Sequence, residues 1–189
     1  MESYEKKPAV GIILGSSRPG RICPEIADWA RNRLENDRLD WHLIDLAEIN
    51  LPFLDEAELP ARHHYQKEHT IKWSETIKNL DGFIFVFPQY NWGYPAVLKN
   101  ALDYLYDEWS GKPVSFICYG GHGGFQAALG MRLVTQGLNM NNMSTSLSLT
   151  IEKEMFDESM KFKDIESALK QYEHPLGALS EEFIHLLVK

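Results

Sequence analysis

Phe83-Ile84-Phe85-Val86-Phe87 runs directly into Pro88-Gln89-Tyr90-Asn91-Trp92-Gly93-Tyr94-Pro95, and from Ala96 the pattern turns helical. An apolar run of strand length without polar alternation marks a strand buried on both faces, as in a parallel sheet. The residues after it put a rigid, aromatic, hydrogen-bonding loop at the strand's carboxyl end. Open α/β sheets bind their ligands there. Aromatic faces, an amide side chain and two prolines suit a flat heteroaromatic ring.

Working outward, Val10-Gly11-Ile12-Ile13-Leu14 reads as a first strand ending at Gly15. Pro24 opens a helix with Glu25 and Asp28 early and Arg31 and Arg33 late, the order a helix dipole favours. Trp41 to Leu46 reads as a second strand, and Glu48 to Gln66, with Pro52 and Pro60, as a surface excursion. Helices are expected from about Glu68 to Asn79, from Ala96 to Glu108 and from Phe125 to Leu138. Pro113 to Tyr119 is the fourth strand, and Met143 to Thr150 alternates as a half-exposed edge strand should. Glu152 to Lys170 is charged, part of it helical at most, and is assigned no chemistry. Leu176, Leu179, Phe183 and Leu186 then mark a last helix.

Strand alternating with helix is the pattern of a doubly wound α/β fold. Buried early strands and an alternating last one imply a flavodoxin-like three-layer α/β/α arrangement, a five-stranded parallel sheet in the order 2-1-3-4-5. One domain over residues 1–189 is expected, since 44% hydrophobic content supplies a sizeable core. The net charge of −8 argues against a nucleic-acid or anionic-membrane partner. No apolar run reaches the roughly 18 residues of a membrane span, and the charged stretch Met1 to Pro8 shows no secretory signal. Cys23 and Cys118 form no CxxC and suggest no disulfide framework. A cytoplasmic location is expected.

Gly15-Ser16-Ser17-Arg18-Pro19-Gly20-Arg21-Ile22 joins the first strand to the first helix. Glycines permit a tight turn, hydroxyls donate hydrogen bonds, and a helix N-terminus attracts an anion. Arg18 and Arg21 add bidentate donors for phosphate. Gly15 and Gly20 have the spacing of a nucleoside-triphosphate loop, but Arg21 and Ile22 stand where that motif needs Lys and Ser or Thr. A monophosphate such as that of FMN fits better. The first, third and fourth strand ends meet at the switch point of this fold, which brings this loop together with Pro88 to Tyr94 and with Tyr119-Gly120-Gly121-His122-Gly123-Gly124. Glycine amides there suit reduced flavin near N1, backbone groups around Tyr90 and Asn91 suit its N5 and O4 edge, and Trp92 or Tyr94 covers part of the pocket. Taken singly, Trp92 and Tyr94 equally suit core or interface packing.

These segments, with Leu98-Lys99-Asn100-Ala101-Leu102-Asp103 and Glu108-Trp109-Ser110-Gly111-Lys112-Pro113, resemble the NADPH-dependent FMN reductase family, and its fungal NAD(P)H-dependent FMN/quinone reductases above all. Asp45-Leu46 and Leu51-Pro52 extend the resemblance, which covers about Val10 to Thr150. It implies a flavodoxin-like fold, non-covalent FMN, and a homodimer or tetramer with active sites near subunit contacts. It also implies that Ser16, Arg18 and Arg21 serve the FMN phosphate. Pro88, Gln89, Tyr90, Asn91 and Trp92, with Tyr119, Gly120 and Gly121, would line the isoalloxazine. Many members have Glu where this chain has Gln89, so a subunit salt bridge at that position does not carry over.

The expected reaction passes a hydride from NADPH or NADH to flavin N5. A small-molecule acceptor (quinone, azo compound, free flavin or metal oxyanion) then takes electrons in the same space, a ping-pong scheme. No acid–base residue is needed for the first step, and Tyr90 and His122 are the candidates for proton delivery. A flavodoxin-like electron carrier and a flavin-dependent redox regulatory protein are the alternatives; rapid NADPH oxidation with a quinone excludes the carrier. His63, His64 and His69 read as solvated rather than metal-binding. Cys23 reads as a small buried residue rather than a thiol activated at a helix start.

Overall fold

The computed structural model describes residues 6–188; residues 1–5, most of the charged N-terminal stretch, and residue 189 lie outside that description. Strands β1 (Ala9–Leu14), β2 (Asp40–Asp45), β3 (Gly82–Pro88) and β4 (Pro113–Gly120) pair in parallel, in the order β2-β1-β3-β4. Ile12 stands beside Leu43 on one side and Ile84 on the other, and Phe85 stands beside Phe116. The helices are α1 (Cys23–Leu34), α2 (Leu46–Ile49), α3 (Glu68–Lys78), α4 (Ala96–Asp103), α5 (Phe125–Gly137), α6 (Ile165–Leu169) and α7 (Glu173–Leu187).

Strand β3 shows why the sheet needs helices on both sides. Successive side chains point to opposite faces, so Phe83, Phe85 and Phe87 join a core beneath α3, α4 and α5. Ile84 and Val86 join the other core, beneath α1 and α7. Trp109 meets Phe83 edge-on at 4.9 Å, and Phe85 and Phe87 each lie about 6 Å from Phe116. Truncating one of these phenylalanines to Ala would cost about 3–5 kcal/mol.

The fifth position of the sheet is filled by two short strands, β5 (Asn141–Asn142) and β6 (Leu147–Thr150), which pair with β4 in succession. The continuous edge strand expected from Met143 is therefore interrupted. Residues Met143 to Ser146 stand opposite only Ser115 and Phe116, between the pairs Val114–Asn142 and Ile117–Leu147. Side chains satisfy the displaced backbone. The Glu182 carboxylate accepts from the amides of Ser144 and Thr145 at 2.8 and 3.0 Å, and Ser115 Oγ donates to the Thr145 carbonyl at 2.6 Å.

Helix α4 also ends earlier than the expected Glu108. Tight turns carry Tyr104, Leu105 and Trp109 into the core, and Trp109 Nε1 donates back to the Leu102 carbonyl at 3.2 Å. The Tyr106 amide, which a continued helix would give to the Leu102 carbonyl, donates instead to Glu108 Oε2 at 3.3 Å. Glu108, buried within this turn, accepts from Ser74 Oγ at 2.6 Å and Tyr65 Oη at 3.1 Å. The surface excursion is thereby tied to α3. Glu56 adds a second tie, accepting from the amides of Gln66 and Lys67 and so capping the helix where Lys67 supplies no side-chain cap. Among the described residues, no helix is long and apolar enough to cross a membrane.

Candidate active site

The carboxyl ends of β1, β3 and β4 converge on a cleft of about 260 Å³. The first wall is the loop after β1. Arg18-Pro19-Gly20-Arg21 closes as a turn, the Arg21 amide donating to the Arg18 carbonyl at 3.1 Å with Gly20 at φ 69°. Proline second and positive-φ glycine third are what a type II turn requires. Ser16 is buried beside it, its Oγ 3.3 Å from Tyr90 Oη. Helix α1 begins with no side-chain N-cap and with Pro24 in its first turn, so its first amides are left for an anion.

The two arginines of this loop divide the work. Arg21 donates to Asp45 Oδ1 and Oδ2 at 2.6 and 2.5 Å and to the Ser16 carbonyl at 2.6 Å. Burial alone would raise the Asp45 carboxyl. The Arg21 hydrogen bonds, the Ala47 amide and the nearby positive charge outweigh it and hold the group below the ordinary carboxylate range. The expected phosphate ligand Arg21 lines the cleft but spends its guanidinium on holding the loop. Arg18 is exposed, lines the same cleft and has no ion-pair partner among the described residues. It is the cation available to a ligand.

The second wall is Pro88, Gln89 and Tyr90. Gln89 donates its amide to the Tyr119 carbonyl at 2.9 Å, and its Oε1 accepts from the Ala127 amide at 3.1 Å, so it ties two walls together and caps α5. Tyr90 and Gly93 exchange amide–carbonyl hydrogen bonds at 2.8 Å across Asn91 and Trp92, both with positive φ (48° and 65°). Asn tolerates this conformation; an indole residue pays about 1–2 kcal/mol for it. The turn carries Asn91 and Trp92 off the lining of the cleft and leaves Trp92 71% exposed. Tyr94 is half-buried against the core beneath α4 and α5, not over the cleft.

The third wall is Tyr119, Gly120 and Gly121. A Cβ on Gly121 would meet nothing within 4 Å, so its backbone is open to a ligand. Gly124, at φ 75°, is forced: a Cβ there would lie 2.4 Å from Cys118 Sγ. Desolvation, first of all, pushes the Tyr119 phenol far up, with Cys23 and Tyr90 adding to it. Burial also lifts the Cys23 thiol, to about 12, despite its place at the start of α1. His122 is exposed on the same loop and does not line the cleft.

Sequence reasoning missed one side. Ile151, Phe156 and Met160 complete the lining, from a segment to which no chemistry was assigned. The available signal was apolar residues, Met155-Phe156, Met160 and Phe162, set in a charged stretch. His63, His64 and His69 lie away from the cleft and pair with Asp107, Glu58 and Asp55.

Two arginines and no acidic residue line the cleft, in a chain of net charge −8. Local charge therefore opposes the global one and favours an anionic ligand. Buried Ser16, available Arg18, the uncapped start of α1 and the open backbone at Gly121 match a phosphate at one end and the polar edge of a ring at the other. These residues fit FMN.

Comparison with known proteins agrees. The family model described as NADPH-dependent FMN reductase matches residues 8–153. An NAD(P)H-dependent FMN reductase of Schizosaccharomyces pombe is 39% identical over 179 residues, covering 93% of this chain and 87% of that protein. One from Saccharomyces cerevisiae is 43% identical over 144 residues, covering 70% of this chain and 75% of the relative. A quinone reductase of Pseudomonas putida is 29% identical over 165 residues, covering 82% and 85% of the two chains. The solved structure of FerB, a flavoenzyme NAD(P)H:(acceptor) oxidoreductase from Paracoccus denitrificans, superposes with a TM-score of 0.72 at 21% identity, over 92% of this chain and 96% of that one. That likeness fixes the flavodoxin-like fold. With the family model matching most of its length and the fission-yeast relative nearly all of it, the chain belongs to the NADPH-dependent FMN reductase family.

Proposed function

We propose that this FMN- and NAD(P)H-dependent reductase seats the cofactor phosphate on Ser16, Arg18 and the first amides of α1, and the ring between Pro88–Tyr90 and Tyr119–Gly121. The observation that carries this reading is the convergence of three strand ends on one cleft that holds arginine and no carboxylate. Bound FMN supplies the redox chemistry, taking two electrons from NAD(P)H and returning them to an acceptor. The protein's share is position and charge. Arg21 and Asp45 fix the phosphate loop, and Gln89 fixes the distance between the second and third walls. Glycine backbone at 120–121 offers amide dipoles to negative charge near the ring.

The acceptor is a flat, weakly polar molecule such as a quinone or azo compound, and it uses the space that NAD(P)H vacates. Trp92 and the half-exposed Tyr90 stand beside that space as stacking surfaces. The working form is a homodimer in the cytoplasm, built on the outer face of α5. Phe125, Leu129 and Leu133 repeat there at four-residue intervals, all exposed. The helix's one charged residue, Arg132, turns inward to the Met143 carbonyl and the Phe116 ring. A surface helix with no outward charge is suited to a second copy of itself.

Steady-state kinetics with NADPH and a quinone test this reading. Parallel double-reciprocal lines are expected if both substrates use one space in turn; lines that intersect after correction for product inhibition contradict it.

A further inference from the structure

The stretch between β6 and α6 reads as charged surface, yet it contributes Phe156 and Met160 to the cleft. It is a small hairpin. Phe156 and Phe162 form an antiparallel bridge with rings 4.7 Å apart, and the Asp157 amide donates to the Lys161 carbonyl at 2.9 Å. The Asp157 carboxylate closes the tip, accepting from the amides of Ser159 and Lys161 at 2.9 and 3.0 Å. Met160 sits at φ 61° and remains 56% exposed beside the cleft. A left-handed residue that is not glycine costs about 1–2 kcal/mol, and its gain here is a polarizable side chain at the ligand's edge. The family match ends at residue 153, so the hairpin lies beyond the matched residues.

The hairpin is also tied to the phosphate loop's own helix. Glu25, in the first turn of α1, accepts from Lys161 Nζ at 3.2 Å and from the Phe162 amide at 3.3 Å. The polar edge of an isoalloxazine would face Gln89, Tyr90 and the glycines at 120–121, which line the same cleft. Its dimethylbenzene end needs an apolar wall, and Phe156 and Met160 are apolar residues of the lining that the phosphate and ring loops do not supply.

We propose that the hairpin Phe156–Phe162 is the closing wall of the flavin site, with Phe156 and Met160 packing on the apolar end of the ring and Glu25 as the positioning residue. This rests on the reading of the cleft as the FMN site. Thioether–aromatic packing of this kind is worth about fivefold in affinity.

The test is titration of the apoprotein with FMN and with riboflavin, followed by quenching of flavin fluorescence. Met160→Ala is expected to weaken both flavins by the same factor of about five; Met160 is largely exposed, so the fold is not at stake. Glu25→Ala is expected to weaken both as well. Removing an acid near the phosphate loop would, by charge alone, tighten FMN, so the sign separates the two effects. Arg18→Ala serves as the contrast, weakening FMN and leaving riboflavin unchanged. A second readout is tryptic cleavage after Lys161 and Lys163, which FMN should slow in the native chain and slow much less in Glu25→Ala. Wild-type affinities in both Met160→Ala and Glu25→Ala, or a loss in Met160→Ala confined to FMN, would overturn the inference while leaving the flavin site standing. A wild-type chain that binds neither flavin would overturn the reading beneath it, and the inference with it.

Discussion

Arg21 meets Asp45 through two parallel hydrogen bonds, at 2.6 and 2.5 Å, and reaches the Ser16 carbonyl with the same Nη1. Strand β2 thereby holds the loop after β1 in place. Bidentate pairing of this kind fixes geometry as well as adding energy.

Replacing Asp45 by Asn should lower stability by about 1–2 kcal/mol at neutral pH, read from urea unfolding, and weaken FMN binding with it. The folded carboxyl is held below its ordinary value. Its contribution is therefore complete above the unfolded value of about 4 and is lost as pH falls through the lower, folded value. The gap between wild type and Asp45→Asn should be full at pH 7 and shrink as the pH falls below the ordinary carboxylate value of about 4. A gap that is constant with pH would show that the charge is not what matters.

Trp92→Gly separates strain from function. Glycine accepts the positive φ without penalty, so thermal stability should hold or rise by about 0.5–1 kcal/mol. Flavin affinity should not change, because Trp92 does not line the cleft. The KM for a quinone should rise severalfold. An unchanged KM would remove Trp92 from the acceptor's surroundings.

Leu133→Glu places a charge in the middle of the outer face of α5, at a position 73% exposed. The monomer should fold as before. Light scattering after size exclusion should show a dimer for the wild type and a monomer for the variant. A variant that stays dimeric puts the interface elsewhere.

Burial lifts both cysteine thiols to about 12. Neither should react with an aromatic disulfide reagent at pH 8 until the chain unfolds, and Cys23→Ala should leave flavin binding near wild type. Rapid modification of native Cys23 would instead mark a reactive thiol beneath the phosphate loop.

Much of this was legible from local pattern. The uninterrupted apolar run at 83–87 implied a strand buried on both faces, and Arg18-Pro19-Gly20 spelled out its own turn. Loops at the ends of strands 1, 3 and 4 had to meet once the order 2-1-3-4-5 was set. What stayed hidden depends on partners distant in sequence. Nothing local in Arg21 says that Asp45 will take its guanidinium, or that Glu182 will receive the amides of Ser144 and Thr145 and split the edge strand. Helix propensity carried the reading of α4 past Asp103, where the distant-partnered Glu108 takes the Tyr106 amide out of the helical ladder. The hairpin at 156–162 was masked by its charges, since Phe156 and Met160 have helical spacing while Met160 and Phe162 have strand spacing, and the pattern selects neither.

The most direct test of the central claim is the visible spectrum of the protein reconstituted with FMN, recorded without oxygen before and after NADPH is added. Rapid bleaching of the bound flavin, reversed by a quinone, is the predicted result. Bound flavin that stays oxidised with both NADPH and NADH would contradict it and leave a carrier or regulatory protein in its place.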